Sequence, residues 1–308
     1  MENIESTEVS FIPDPRQSKK WGDYLAIYGW KMIFTSKDVG ILVKPFLLGS
    51  LVKIQRCRVL DKSDIEEIEK ICLEQKAAFI KIEPSVSQNE QVLLNAGFVV
   101  SRFPQTPTKT MYINLQLSEE ELWKKISKSG KYAIRRAQRE GATVETFTYP
   151  KEDTIKKAFS VFKNTAQTKK FYLPPLSDYF GRVKAFKESA YMVFVYDGEK
   201  ELVGAQFFVA DKGTGVFVTG GTTSKGRGQN TGYELMWKSI LYLKKCGLMY
   251  LDLEGLDDPR FPGFTKNWGG FSHFKEKFGG EIVTQQFPYI KYTSATMRLL
   301  SKWSLTSL

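Results

Sequence analysis

Apolar positions along this chain fall into two spacings, and the spacings separate helices from strands. Tyr233, Met236, Trp237, Ile240 and Leu243 recur on one helical face. That stripe predicts a helix over 231–245 with one side toward a core, and Gly247 is placed to end it. Short apolar runs predict strands at 31–35, 40–43, 50–59, 78–82 and 98–101. Between them, Ile65, Ile68, Ile71 and Cys72 mark a helix opened by a Ser63–Glu66 capping box. A second helix over 90–96 ends at Gly97, and a short one over 20–30 turns Trp21, Leu25 and Tyr28 inward.

The order returns in the second half. Strands are predicted at 191–196, 201–210 and 215–219, the first two joined through Asp197-Gly198, a good hairpin signal. The helix 231–245 follows, then a strand at 249–253, a short helix near 271–277 and a strand at 281–287. "LLNAGFVVS" and "FKEKFGGEIV" occupy the same place in the two halves, so the repeat is one of pattern and not of residues. A strand meander followed by helix, strand, helix, strand is the layout of an acetyltransferase-like (GNAT-like) domain. The expected fold is therefore α/β with mixed sheets, two such domains in tandem. The boundary falls near 103–109, where Pro104 and Pro107 sit in polar surroundings. The first domain is taken as 1–105, completed by a C-terminal segment 287–308, and the second as 106–286. No long heptad segment appears, which fits a compact form without a helical arm. A short amphipathic helix over 292–305 carries Met297, Leu299, Leu300 and Trp303. Its apolar stripe packs on a core, which the resemblance described below would place on the first domain, or, with Arg298 and Lys302 flanking, touches a membrane surface.

Composition narrows the chemistry. The 308 residues carry a net charge of +11, which favours anionic partners such as nucleic acid, lipid surfaces or nucleotide phosphates without choosing among them. No apolar run approaches the roughly 20 residues that span a membrane. The opening MENIESTEVS lacks the regions of a signal peptide, so a cytoplasmic location is expected. Cys57, Cys72 and Cys246 have no metal-ligand spacing and read as reduced core thiols. His273 is the single histidine, so no metal site and no Ser/His/Asp or Cys/His nucleophile is expected.

Two stretches carry candidate chemistry. Gly226, Gly228 and Gly232, with Lys225 and Arg227, precede the helix 231–245. Backbone N–H groups at a helix start favour phosphate, though the glycines could equally only shape a turn. The second stretch is a basic helix pair over 118–141, capped by Ser118 with Glu121. Lys124, Lys128, Lys131, Arg135 and Arg139 are spaced to line one face of it, either as a row of phosphate contacts, which the resemblance described next would assign to a tRNA acceptor arm, or as a solvated face.

Three segments in order resemble the Fem family (FemXAB) of peptidoglycan bridge enzymes. They are "TPTKTMYINLQLSEEELWKKISKSGKYAIRRAQREG" over 106–141, "GYELMWKSI…KKCG…YLDLEG" over 232–255, and "FKEKFGG" over 274–280. The resemblance implies tandem GNAT-like domains. It also implies an aminoacyltransferase that moves an amino acid from aminoacyl-tRNA to an amine of a UDP- or lipid-linked muropeptide stem. Aminoacyl-tRNA is then a co-substrate, with no cofactor and no metal, and the chain a monomer with peripheral membrane contact as an option. By the same resemblance Lys275 is the catalytic lysine, stabilising the oxyanion of the attacked ester. Such a lysine must stay protonated, which argues against a strongly desolvated site without a partner anion. Phe274 shapes the pocket, Lys19 and Trp21 match one acceptor-binding pair, and Arg227 and Tyr233 match another. Asp252, at a strand end, either accepts a proton or orients a loop. Asn114-Leu115 stands where many members have Asp-Leu, which removes an acid at that position.

The alternative is an acetyl-CoA-dependent GNAT N-acyltransferase, because 227–232 resembles a pyrophosphate loop. Asn230 and the bulky Tyr233 would hinder close backbone approach there. A further alternative is a non-catalytic module that binds tRNA or a lipid surface.

Overall fold

The computed structural model describes residues 11–47, 49–293 and 298–299. The chain forms two compact units, one up to Thr108 and from Thr284 onward, the other Lys109–Val283.

The first unit opens with α1 (Lys19–Ala26), whose N-cap Ser18 accepts the Trp21 N–H. The strands β1 (Lys31–Phe34), β2 (Gly40–Phe46) and β3 (Gly49–Gln55) follow as an antiparallel meander. α2 (Lys62–Glu74) then crosses over to β4 (Ala77–Glu83), which lies parallel to β3. α3 (Glu90–Asn95) and β5 (Val99–Val100) complete the first pass. Ile65, Ile68 and Cys72 of α2 pack with Ile41, Val43, Val52, Ile54, Ile80 and Ile82, one face of the sheet.

The capping box of α2 is not at Ser63 and Glu66. Asp61 is the N-cap and exchanges side-chain bonds with Asp64. The sequence Asp61-Lys-Ser-Asp64 offers both registers, and the Arg58 guanidinium, bound to the buried Asp64 carboxylate at 2.6 and 2.8 Å, decides between them.

The second unit begins with β6 (Lys109–Asn114). α4 (Glu119–Lys125) carries the expected Ser118–Glu121 capping box, and α5 (Lys128–Arg139) follows. Residues 142–190, unassigned from the sequence, hold β7 (Thr143–Thr148), α6 (Glu152–Lys169) and α7 (Leu176–Phe186). Then come β8 (Ala190–Tyr196), β9 (Leu202–Asp211) and β10 (Thr214–Thr222). Where a loop was expected, α8 (Ser224–Gly228) forms one short helix. α9 (Thr231–Lys245) has the predicted bounds, and Gly247 follows it with a left-handed φ of 83°. β11 (Tyr250–Asp252), α10 (Gly269–Glu276) and β12 (Glu281–Thr284) close the unit.

Its seven-stranded sheet runs β12-β6-β11-β10-β9-β8-β7, with β10 and β11 parallel and α9 as their crossover. α5 and α9 cover one face, burying Ile134, Leu235, Met236, Trp237, Ile240 and Leu243. On the other face lie α6 and α7, where Phe162 meets Tyr179 and Tyr179 meets Phe207. The long helix α6 therefore lies on the sheet and is not an arm.

The chain returns to the first unit as β13 (Tyr289–Tyr292), seated between β4 and β5 in the sheet order β1-β2-β3-β4-β13-β5. The helix expected over 292–305 lies largely outside the described residues. Among these residues no helix is long and apolar enough to cross a membrane. Cys57 and Cys72 are buried, as core thiols should be, and burial pushes each up to about 12. Cys246 is exposed, unlike the expectation, because it caps α9 beyond its buried stripe.

Candidate active site

The parallel pair β10 and β11 opens a gap at its carboxyl end. Pairing stops at Val216 opposite Asp252, while β10 bulges between Phe217 and Thr219 and runs on to Thr222. Crevices outside the carboxyl ends of parallel strands are the usual ligand positions in such sheets. α10 fills one side of the gap and delivers Lys275 into it.

Lys275 is 5% exposed. Its ammonium donates to the carbonyl oxygens of Gly255 at 2.9 Å and Glu254 at 3.2 Å. The Phe271 and Phe217 rings lie 4.6 and 5.5 Å from it. An ammonium has three N–H donors, so these two carbonyls leave one for a ligand. Burial pushes the group down to about 8, and the Glu254 and Asp252 carboxylates oppose that shift. The site is thus far more desolvated than a permanently charged lysine was expected to tolerate. Two carbonyl dipoles and two aromatic faces supply what a contacting anion would have supplied.

The strand end builds the cradle. Asp252 is fully buried and accepts the Thr110 hydroxyl and, at 2.7 Å, the Glu254 N–H. That second bond holds Glu254 at a left-handed φ of 59°, and the Glu254 and Gly255 carbonyls face Lys275. A Cβ on Gly255 would stand 2.4 Å from the Trp268 ring, so only glycine lets the backbone pass. Asp257 N–H donates to Ser272 Oγ at 2.8 Å, tying the loop to α10.

An aromatic wall continues from the lysine. Phe274 meets Tyr233 at 4.9 Å between ring centroids, and both meet Phe278, at 5.3 and 6.1 Å. Tyr233 is half-buried, and burial raises its phenol. The fold therefore gathers Lys275, Asp252, Phe274 and Tyr233 at one gap.

Arg227 turns back along α8, bonding the Thr222 carbonyl and, at 2.8 Å, Ser224 Oγ. Lys225 is not available to a phosphate at this helix start. Its ammonium sits among the carboxylates of Asp197, Glu199 and Glu201 at 2.5 to 2.7 Å, filling the acidic cluster that could otherwise hold a cation. The N–H groups of Gly226, Arg227, Gln229, Asn230 and Tyr233 all donate within the chain. A pyrophosphate cradle at this place would need several of them.

On α5, Lys128, Lys131, Arg135 and Arg139 share a face opposite the buried Ala133, Ile134 and Ala137. Lys128 and Arg139 are exposed and have no ion pair among the described residues. Arg135 stacks 5.5 Å over Trp123, Lys131 donates to the Lys124 carbonyl at 3.1 Å, and Lys124 pairs with Glu120. This row starts beside the gap: Ser127 N–H donates to the Lys277 carbonyl at 2.9 Å. Lys19 and Trp21 belong to the other unit. Lys19 is exposed and pairs with Asp23, and Trp21 lies 5.5 Å under the Arg16 guanidinium.

The model of the FemAB family matches residues 96–197, which include β6 and both basic helices. Over this segment the chain is similar to the FemAB family. The Fem fold extends beyond it. A solved structure described as FemX covers 96% of this chain and 95% of its own, at 16% identity and a TM-score of 0.79. A C-terminal domain of a putative lysylphosphatidylglycerol synthetase from Agrobacterium fabrum covers 94% of this chain and 92% of its own, at 12% identity and 0.62. A tandem GNAT protein from the clavulanic acid biosynthesis pathway covers 83% of this chain and 79% of its own, at 11% identity and 0.52. No curated protein matches the sequence. The expected mixed α/β architecture of two GNAT-like halves is therefore the observed one.

Sequence reasoning missed Phe217, Phe271, Thr110 and the Glu254 and Gly255 carbonyls. Glu254 and Gly255 stood inside the "YLDLEG" segment, but backbone acceptors leave no signature in residue identity.

Proposed function

We propose that this Fem-family protein transfers an amino acid from aminoacyl-tRNA to an amine of a peptidoglycan precursor. The observation that carries the reading is the Lys275 ammonium, buried at the end of the parallel strand pair with one N–H left over. The acceptor amine attacks the ester carbonyl, and negative charge develops on its oxygen. A fixed cation in a dry site stabilises that charge more than water would. Collapse of the tetrahedral species breaks the ester C–O bond, the proton lost by the amine passes to the departing ribose oxygen, and an amide remains.

Asp252 acts as a positioning residue in this scheme. It reaches the reaction through the Glu254 turn that aims the carbonyls at Lys275. Tyr233 and Phe274 wall the gap, the α5 row holds the acceptor arm of the tRNA, and Arg227 serves the muropeptide. The acetyl-CoA reading loses support from α8, whose N–H groups are already bonded.

The test is transfer of labelled amino acids from a charged tRNA pool to UDP-linked and lipid-linked muropeptide, wild type beside Lys275→Met. Label on either acceptor that the variant fails to deliver supports the proposal. Absence of transfer together with saturable acetyl-CoA binding would replace it with N-acetylation.

A further inference from the structure

The loop that joins α6 to α7 has no part in the aminoacyl transfer. Residues 169–175 read Lys-Lys-Phe-Tyr-Leu-Pro-Pro, two cations followed by five apolar or aromatic residues. Tyr172 is 83% and Phe171 43% exposed, and neither ring packs on another aromatic ring among the described residues. In the flanking helices Phe162, Tyr179 and Phe186 are buried. Lys170, at a left-handed φ of 55°, stops α6, and Pro175, extended at φ −65° and ψ 159°, is the N-cap of α7. Pro174 and Pro175 carry no N–H, so the apolar stretch brings few backbone donors that need water.

Two bonds fix where the loop stands. Thr165 Oγ1 donates to the Thr222 carbonyl at 3.2 Å, and the Tyr179 and Thr219 hydroxyls meet at 3.1 Å. Both anchors lie on β10 beyond its bulge, at the end of the strand that opens the Lys275 gap. The charge around the rings has one sign. Lys163, Lys169 and Lys170 are exposed and have no ion pair among the described residues, and 163–177 contains no acidic residue. The next carboxylate, Asp178, is buried and bound by Arg182 at 2.9 Å. A partner for this surface is therefore anionic and also has an apolar layer for the rings. Nucleic acid offers phosphates and base faces, but no apolar layer for Leu173 and the two prolines. The interface of an anionic bilayer offers both parts: headgroup charge for the lysines, and the headgroup–acyl boundary where aromatic side chains concentrate.

We propose that the α6–α7 loop docks the second unit on an anionic lipid surface. Phe171 and Tyr172 enter the headgroup–acyl boundary, and Lys169 and Lys170 stay among the headgroups. The contact is with the bilayer itself, it recognises no acceptor molecule, and it stands or falls independently of the Lys275 reaction. Its consequence is orientation, because it turns the Lys275 end of the sheet toward the membrane.

The test sediments the full chain with sucrose-loaded vesicles of mixed phosphatidylglycerol and phosphatidylcholine, and with vesicles of phosphatidylcholine alone. The joint variant Phe171→Ser/Tyr172→Ser is compared with Leu73→Ser, an exposed apolar residue on α2. Lys169→Gln and Lys170→Gln are compared with Lys62→Gln, an exposed lysine on α2. Partitioning onto the anionic vesicles should fall about tenfold or more in the joint variant and about fivefold in each loop lysine variant. Leu73→Ser and Lys62→Gln should stay close to wild type. Phosphatidylcholine alone should bind weakly, and salt should weaken the anionic binding. Tyr172→Trp supplies a readout that net charge does not move: its added emission should be quenched by lipids brominated along the acyl chain. Thermal unfolding shows that each variant is folded, and the lysine variants carry the test if the joint variant is not. Failure of wild type to bind anionic vesicles, equal partitioning of wild type and the joint variant, or unquenched Tyr172→Trp emission overturns the proposal. Loss of tRNA binding in the joint variant with vesicle binding intact overturns it in favour of a nucleic-acid contact.

Discussion

Leu93 and Lys275 occupy one structural position in two sheets. Each lies on a short helix four residues before a left-handed glycine, Gly97 at φ 81° and Gly279 at φ 69°. Each packs beside the end of a strand, "FIKIE" in β4 and "YLDLE", whose first three residues are β11. In the first unit the helix residue is an apolar side chain, fully buried, and the strand carries Lys81, whose ammonium bonds the Phe103 carbonyl. In the second the helix residue is the cation, and the strand carries Asp252. Glu83 spends its carboxylate on backbone N–H groups, whereas Glu254 gives its own carbonyl to the lysine. The scaffold thus tolerates either an apolar plug or a buried cation at this position. The difference lies in whether the following turn aims backbone oxygens at it.

Exchanging the two kinds of residue should break the comparison most severely. Leu93→Lys places an ammonium where no carbonyl turn awaits it and should cost about 4–5 kcal/mol, read by chemical denaturation. Lys275→Met is the converse. Transfer should fall about 10²–10³-fold while the protein stays folded. Stability should rise on the order of 1 kcal/mol at neutral pH, because a buried cation with a depressed native pKa is removed. A lower melting temperature would show that the carbonyl cradle needs its ammonium.

Asp252→Asn keeps an acceptor for the Glu254 N–H but lowers its strength. Transfer should drop about tenfold through kcat with little change in KM, as expected for a residue that positions the cation. A pH profile sharpens the same point. Lys275 loses its proton as pH rises through about 8, so transfer should decline above that value. Native Lys275 binds its proton less tightly than in the unfolded chain, so between about 8 and 10.5 folding stability should rise with pH. A profile flat to pH 10 would remove Lys275 from the transition state. The smallest effect belongs to the α5 row. Lys128→Ala or Arg139→Ala should lower the salt dependence of tRNA binding by about one in log–log slope each and leave kcat unchanged.

Much of this was legible in order along the chain. The α9 stripe of Met236, Trp237, Ile240 and Leu243 fixed both a helix and its buried side, because apolar spacing and a following glycine are local signals. Other elements were not. α6 buries Ile155, Ala158, Val161, Phe162, Thr165 and Ala166, but lysines and polar residues interrupt the stripe, and only contact with the sheet defines its face. The glycines of 226–232 suggested an open phosphate loop. Gly226 is instead buried against the Val203 carbonyl, 2.7 Å from where its Cβ would be, and α8 consumes its own donors. Lys225 looked free and is held by three carboxylates from the β8–β9 turn.

By itself the sequence determined much of the strand and helix order outside 142–190, the basic helix pair and the family that its motifs resemble. All of these depend on residues near one another in the chain. The tertiary structure decided which lysine is buried and what holds it. Lys275 is bonded by carbonyls 20 and 21 residues upstream, on a turn set by Asp252, and Asp252 is in turn fixed by Thr110 across the sheet. Backbone acceptors and burial belong to no single residue type, so they exist only once the chain is folded.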